Sequence, residues 1–117
     1  MKAEGRLGVV IPGIGAVSTT LMAGVFLSRK GIKLPKGSLT QMGKIQVRNG
    51  NETQNVSIKE FVPLASPDDI VFGGWDIFPD NAYEAAKYAE VLKEKDLNGV
   101  KDELETIKPM PAAFDHN

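Results

Sequence analysis

Apolar residues first gather in a short unbroken run, Leu7-Gly8-Val9-Val10-Ile11, rich in β-branched side chains. Such a run predicts a strand buried on both faces, as in a parallel sheet. Pro12 and Gly13 end it, and the period then changes to that of a helix from about Ala16 to Lys30. Val17, Leu21, Gly24, Val25 and Ser28 fall on one face of that helix, and Met22, Phe26 and Arg29 on another. A helix apolar nearly all round is expected to be largely buried. Arg29 and Lys30 complement the helix dipole in its last turn, and Gly31 suits the position after the cap.

Lys44-Ile45-Gln46-Val47-Arg48 alternates polar and apolar, Asn49-Gly50 supplies a turn, and Asn51 to Ile58 partly alternates again. This pattern predicts a β-hairpin, with a loop of two residues or more, inserted on the scaffold as a structural flap. A second buried strand is expected at Ile70-Val71-Phe72, ended by Gly73-Gly74. After it comes a helix with Asn81 as N-cap and Glu84 three residues on, a capping-box pattern. Ala82, Ala85, Ala86, Ala89 and Leu92 form a small-residue face, and Leu97, Val100, Leu104 and Ile107 continue at helical spacing until Pro109. Strands alternating with helices define an α/β class with a parallel sheet, flanking helices and an inserted hairpin. Two buried strands are fewer than a doubly wound sheet normally has, so the chain reads as part of a longer one.

Composition narrows the function classes. The 117 residues make at most one domain, with 14 basic against 15 acidic residues and 42% apolar content. No basic cluster exceeds two neighbours, which argues against nucleic acid as a partner. The absence of cysteine excludes disulfides and thiolate metal sites and fits a cytoplasmic protein. Between Arg6 and Arg29 lie 22 uncharged residues, long enough for a membrane span. Pro12, four glycines and the polar run Ser18-Thr19-Thr20 make strand, turn and helix the better reading, so no membrane partner is expected.

The candidate chemistry sits at the first strand-to-helix junction. Gly13-x-Gly15-x-x-Ser18 follows a strand and opens a helix, the context in which such a loop binds a pyrophosphate. The first glycine permits the tight turn, and the second lets the backbone approach the phosphates. N–H groups at the helix start then hold the charge. Ser18 stands where Gly or Ala is usual, and its hydroxyl offers an extra donor. The acid expected about 20 residues later, for a ribose, is missing: no Asp or Glu occurs between Glu4 and Glu52. Asp76, just past the second strand, is the favoured substitute, with a loop or cap role as its plain alternative. Asp68-Asp69 reads as a turn rather than a cation site. His116 reads as a surface residue, no metal site is expected, and the lack of Gly-Lys-Ser/Thr after the loop argues against a nucleoside-triphosphate site.

Taken together, these segments resemble the myo-inositol-1-phosphate synthase family. The resemblance runs through Gly13-Ile14-Gly15-Ala16-Val17-Ser18, Ala23-Gly24-Val25, Gly37-Ser38-Leu39-Thr40-Gln41, Phe61-Val62-Pro63-Leu64 and Ser66-Pro67-Asp68-Asp69-Ile70-Val71-Phe72. It continues in Gly74-Trp75-Asp76-Ile77, Tyr83-Glu84-Ala85 and Lys108-Pro109-Met110-Pro111. Many eukaryotic members carry a longer, Asn-rich glycine loop; the short loop here is similar to that of bacterial members. The resemblance implies that residues 1–117 are the N-terminal part of a Rossmann-like NAD-binding domain, without the catalytic and tetramer-forming domain. It implies NAD held by Gly13, Ile14, Gly15, Ala16, Val17, Ser18, Asp76 and Ile77. It further implies a homotetramer that isomerises glucose 6-phosphate to inositol phosphate by internal oxidation, enolisation, aldol cyclisation and reduction. The family's principal catalytic lysines lie in the later domain, so no catalytic residue is expected here, and Lys101 and Lys108 read as surface helix residues. The rival expectations are another NAD-dependent oxidoreductase and a non-catalytic NAD-sensing or interaction module.

Overall fold

The computed structural model describes residues 4–113. β1 (Leu7–Pro12) leads through Gly13-Ile14-Gly15 into α1 (Ala16–Arg29), the longest helix among the described residues. After a loop come α2 (Leu39–Met42), a hairpin of β2 (Lys44–Asn49) and β3 (Glu52–Ser57), and α3 (Ile58–Phe61). A single 3₁₀ turn, Pro67–Asp69, enters β4 (Ile70–Asp76). Three short helices follow, α4 (Ala82–Ala89), α5 (Glu94–Gly99) and α6 (Lys101–Glu105), and then β5 (Met110–Pro111).

The main sheet has the order β1-β4-β5, and both pairings are parallel. Leu7 pairs with Ile70 and the register runs to Pro12 opposite Trp75, so the carboxyl ends of β1 and β4 finish side by side. Parallel neighbours require a crossover, and α1 and α4–α6 supply the cover. Met22, Ala23, Phe26 and Leu27 of α1 form the core with Ala82, Ala86, Leu97, Val100, Leu104 and Ile107. Phe26 meets Phe72 of β4 edge-on, with ring centroids 5.7 Å apart. That places the Met22–Phe26–Arg29 face inward, as one of the two faces read from the sequence. Thr19 is buried with them, and its hydroxyl donates to the Gly15 carbonyl at 2.8 Å, which lets a polar group sit there at little cost.

The other expected face of α1 is open, with Val17 85% exposed and Leu21 half-exposed. The sheet is likewise covered on one side only. Val10, Val71, Trp75 and Met110 are all exposed, so the expectation of a strand buried on both faces fails for the described residues. The reason is geometric: the core built from α1 and α4–α6 packs against Ile11 and Phe72, on one side of the sheet.

Three further expectations change. β4 does not stop at Gly73-Gly74 but runs on to Asp76, because Gly74 lets β1 approach closely: a β-carbon there would stand 2.2 Å from the Ile11 carbonyl oxygen. The hairpin forms a separate two-stranded sheet with a two-residue turn, but the turn is Gly50-Asn51, since Asn49 pairs with Glu52. The continuous helical spacing from Ala82 to Ile107 is broken twice. A straight helix of that span would reach about 39 Å and carry its later apolar residues off the sheet. Folded back, Leu97, Val100, Leu104 and Ile107 all reach the α1 core. The expected cap is present, with the Glu84 N–H donating to Asn81 Oδ1 at 2.9 Å.

The first break sits at Glu90, held at φ 55°, a left-handed position that ends α4. A side chain there costs about 1 kcal/mol relative to glycine. Glu90→Gly is expected to stabilise the protein by about 0.5–1 kcal/mol, read as a higher urea midpoint with an unchanged slope.

The end of α1 is tied down by more than its dipole. Arg29 Nε donates to the Pro67 carbonyl at 2.6 Å and its Nη2 to the Ile70 carbonyl, with the guanidinium over the Phe26 ring. Lys30 Nζ meets Glu103 Oε1 at 2.7 Å and also donates to the Gly99 carbonyl. Burial alone would raise the Glu103 pKa, but the Lys30 hydrogen bond, a backbone hydrogen bond and the Lys30 charge outweigh it and hold the carboxyl below its usual range.

Candidate functional site

The site forms where β1 and β4 end together. Gly13 takes φ 95°, a conformation that favours glycine, and its N–H donates to the Trp75 carbonyl at 2.7 Å. The chain thereby turns across the end of β4 before starting α1. The first intrahelical bond runs from Thr19 N–H to the Gly15 carbonyl at 3.0 Å. The N–H groups of Ala16, Val17 and Ser18 therefore open the helix without intrahelical acceptors. No side chain caps them, and the first turn contains no acid. Nothing lies within 4 Å of where a Gly15 β-carbon would project. The result is an open, backbone-lined helix N-terminus of 14 residues, suited to an anion.

Asp76 closes the other side. As the last residue of β4, rather than a loop residue beyond it, it reaches across 62 positions so that Ile14 N–H donates to its Oδ2 at 2.8 Å. The Phe78 N–H donates to Oδ1 at 3.0 Å. A carboxylate offers about four lone-pair sites, so each oxygen keeps one for an outside donor such as a ribose hydroxyl. β5 braces this end of β4, with Pro111 opposite Asp76 and the Ala112 N–H donating to the Asp76 carbonyl at 3.1 Å.

Ile14, Gly15, Ala16, Asp76 and Ile77 line one cavity of about 650 Å³. Five of the eight residues read from the sequence thus share a wall, while Gly13 and Ser18 shape the loop behind it and Val17 stands exposed in the first turn of α1. Ser18 differs from expectation in its hydroxyl, which donates to the Gly13 carbonyl at 2.8 Å and so closes the loop rather than facing outward. The rest of the cavity comes from Phe78, Asp80, Ala85, Tyr88 and Ala89, which sequence reasoning missed. Their signal was available: two aromatics after the Asp76 strand, and Ala85, Tyr88 and Ala89 at helical spacing.

Other candidates lie elsewhere. Asp68 and Asp69 belong to the 3₁₀ turn, capped by Ser66 Oγ, and line a second cavity of about 730 Å³ with Gln41, Met42 and Leu64 at the opposite end of β4. No cluster of three potential metal-ligating side chains occurs among the described residues, and His116 lies outside them. Lys101 is a surface helix residue, 3.7 Å from Glu105 and over the Tyr83 ring. Lys108 is exposed but stands in the extended link to β5, not in a helix. No helix of the described residues is long and apolar enough to cross a membrane.

A parallel sheet with a glycine turn feeding an open helix N-terminus, and an acid at the next strand's carboxyl end, defines a dinucleotide-binding α/β domain. The comparisons make this specific. Residues 7–117 match the NAD-binding model of the myo-inositol-1-phosphate synthase family, and the chain belongs to that family. It is 66% identical over 116 residues to inositol-3-phosphate synthase 1 of Bacteroides thetaiotaomicron, covering 98% of this chain and 26% of that protein. It is 36% identical over 122 residues to isozyme 1 of Arabidopsis thaliana, covering 94% and 24%. The crystal structure of the Caenorhabditis elegans inositol-3-phosphate synthase superposes with a TM-score of 0.78 at 23% identity, covering 96% of this chain and 25% of that one, which establishes the Rossmann-like fold. The chain therefore spans about a quarter of the length of these relatives, and NAD is the cofactor of the family portion it matches.

Proposed function

We propose that this chain is the part of an inositol-3-phosphate synthase that holds NAD, and that the whole protein isomerises glucose 6-phosphate to 1D-myo-inositol 3-phosphate. The observation that carries the reading is the single cavity shared by Ile14, Gly15, Ala16, Asp76 and Ile77. It joins an anion-binding helix start to a carboxylate with a free lone pair on each oxygen, the two contacts that a dinucleotide's pyrophosphate and ribose require.

In this reading the N–H groups of Gly15 to Ser18 take the pyrophosphate, and Gly13 and the Ser18 hydroxyl hold the loop in shape. Asp76 accepts from the ribose hydroxyls, and Ile77 gives an apolar contact beside it. When bound, NAD supplies hydride removal and return, which leaves no net redox change. Charge that builds up on oxygen during enolisation needs fixed cations. Lys101 is engaged with Glu105 and Tyr83 on the surface, and in this reading the cations belong to the remainder of the protein. The same reading has the exposed apolar faces of α1 and the sheet covered by the remainder of the protein, since parallel sheets are buried on both sides. It also carries a homotetrameric assembly, as the family resemblance implies, and a cytoplasmic location, which the lack of cysteine fits.

The test is product formation from glucose 6-phosphate. The full-length protein is expected to release inositol phosphate with no accumulation of reduced nicotinamide, and residues 1–117 alone to show no turnover. Stoichiometric reduced nicotinamide would instead make the protein an ordinary oxidoreductase.

A further inference from the structure

The dipeptide Asn-Gly occurs twice in this chain, at Asn49-Gly50 and at Asn98-Gly99. In it an asparagine side chain is open to attack by its own backbone, because glycine has no side chain to shield the following nitrogen. Both asparagines are exposed, so access to water does not separate them. Their backbones do. Asn49 ends β2 and pairs with Glu52 across a two-residue turn. Gly50 takes φ 65° at the first central position while Asn51 keeps a negative φ, as in a type II′ turn. The Gly50 N–H has no acceptor among the described residues, and nothing lies within 4 Å of where its β-carbon would project. Gly99 is the last residue of α5, past its first turn, so its N–H bonds back along the helix. Its carbonyl accepts from Lys30 Nζ at 2.7 Å, and Leu97 and Val100, which flank the pair, are buried.

We propose that Asn49 is a site of spontaneous covalent modification, deamidation through a cyclic imide, and that Asn98 is protected from it. The Gly50 nitrogen attacks the side-chain carbonyl carbon of Asn49 and gives up its proton, and the side-chain nitrogen leaves as ammonia. Water then opens the imide at one of its two carbonyls, giving aspartate or its β-linked isomer, with nothing oxidised or reduced. The extended conformation of a strand holds the nitrogen away from that carbon, so the Asn49–Glu52 rung must open first. This is the fraying of one terminal rung in an exposed two-stranded ribbon. At Asn98 the same step requires α5 to unwind and to draw Leu97 and Val100 out of the core. Each product sets a carboxylate opposite Glu52, and like charges directly opposite are destabilising. The isomer also lengthens the backbone by one atom, which removes the rung. The modification therefore loosens the hairpin from its turn, while Gly13 and Asp76 belong to the other sheet.

The test is to age the full-length protein at mildly alkaline pH, folded and in concentrated urea, and to follow both Asn-Gly peptides by mass spectrometry. Dividing each folded rate by the rate of the same site in urea removes the influence of local sequence. Asn49 is expected to keep at least about tenfold more of its unfolded rate than Asn98. Equal fractions would mean that the turn gives Asn49 no freedom that the helix denies Asn98, and the proposal falls. It falls equally if Asn49 reacts in urea but stays unchanged in the folded protein, since the hairpin then remains closed.

Discussion

Gly74→Ala is expected to destabilise the protein by about 3 kcal/mol or more, since its added carbon would meet another atom more closely than at any other glycine. Gly74 pairs with Ile11 across the parallel β1–β4 ladder. The added carbon would stand 2.2 Å from the Ile11 oxygen and 3.3 Å from Ile14 Cδ1. The first neighbour is backbone and cannot rotate away, so the strands must part at their carboxyl ends. Overpacking of this kind costs about 1–3 kcal/mol by itself. Parting the strands would also strain the Gly13 N–H bond to the Trp75 carbonyl and the Ile14 N–H bond to Asp76, at about 0.5–1.5 kcal/mol each. Gly73→Ala is the control: nothing lies within 4 Å of its added carbon, so its cost should stay near that of an ordinary strand substitution. Urea denaturation of both variants checks the contrast. Equal midpoints would mean that the close approach at Gly74 does not constrain the sheet.

That contrast also shows what could be read from the chain before its structure. The run Leu7–Ile11 and the glycines after it identify a strand, a turn and a helix because those signals are local. The Asn81 cap is local too. Whether Gly74 ends a strand or lets two strands touch is not local, since it depends on Ile11, 63 positions earlier in the chain. The same limit explains β5. Met110-Pro111 is too short for any periodic signal, and it becomes a strand only because Trp75 and Asp76 offer it an edge. Burial is likewise a property of what surrounds an element. Val10 and Leu21 have buried-element sequences but exposed side chains, because the described helices cover only one side of the sheet.

The candidate site was legible in its two separate parts but not in their connection. The spacing of Gly13, Gly15 and Ser18 raises the expectation of a phosphate loop, and Asp76 stands out as an acid at a strand's carboxyl end. The Ile14–Asp76 hydrogen bond, which makes the two parts one unit, could not be read from spacing. Nor could the fate of the Ser18 hydroxyl, which turns on a loop conformation that only Gly13 at positive φ permits.

The bond from Ile14 means that Asp76 has two separable duties, and Asp76→Ala should expose both. Removing the carboxylate leaves the Ile14 and Phe78 N–H groups without their acceptor, a loss of about 1–3 kcal/mol in stability. It also removes the acceptor for the ribose hydroxyls. Charge-assisted hydrogen bonds contribute about 1.5–3 kcal/mol each, so NAD affinity is expected to fall by about 100-fold. Loosening of the glycine loop alone would weaken binding as well, so the ribose duty needs its own measurement. Titrating wild type and Asp76→Ala with NAD, and with an analogue lacking the adenosine 2′- and 3′-hydroxyls, completes a double-mutant cycle. If Asp76 binds the ribose, the substitution should cost far less with the dideoxy analogue than with NAD, by about tenfold or more. If the two costs are equal, Asp76 acts only by holding Ile14, and the ribose must find its acceptor elsewhere. Asp76→Asn sharpens the division. Its carbonyl can still accept from Ile14, but its amide then turns a donor toward the Phe78 N–H, so one of the two backbone bonds survives. Stability is therefore expected between that of wild type and Asp76→Ala. Affinity for NAD should stay close to the alanine value, because a neutral amide is a weaker acceptor for the ribose hydroxyls.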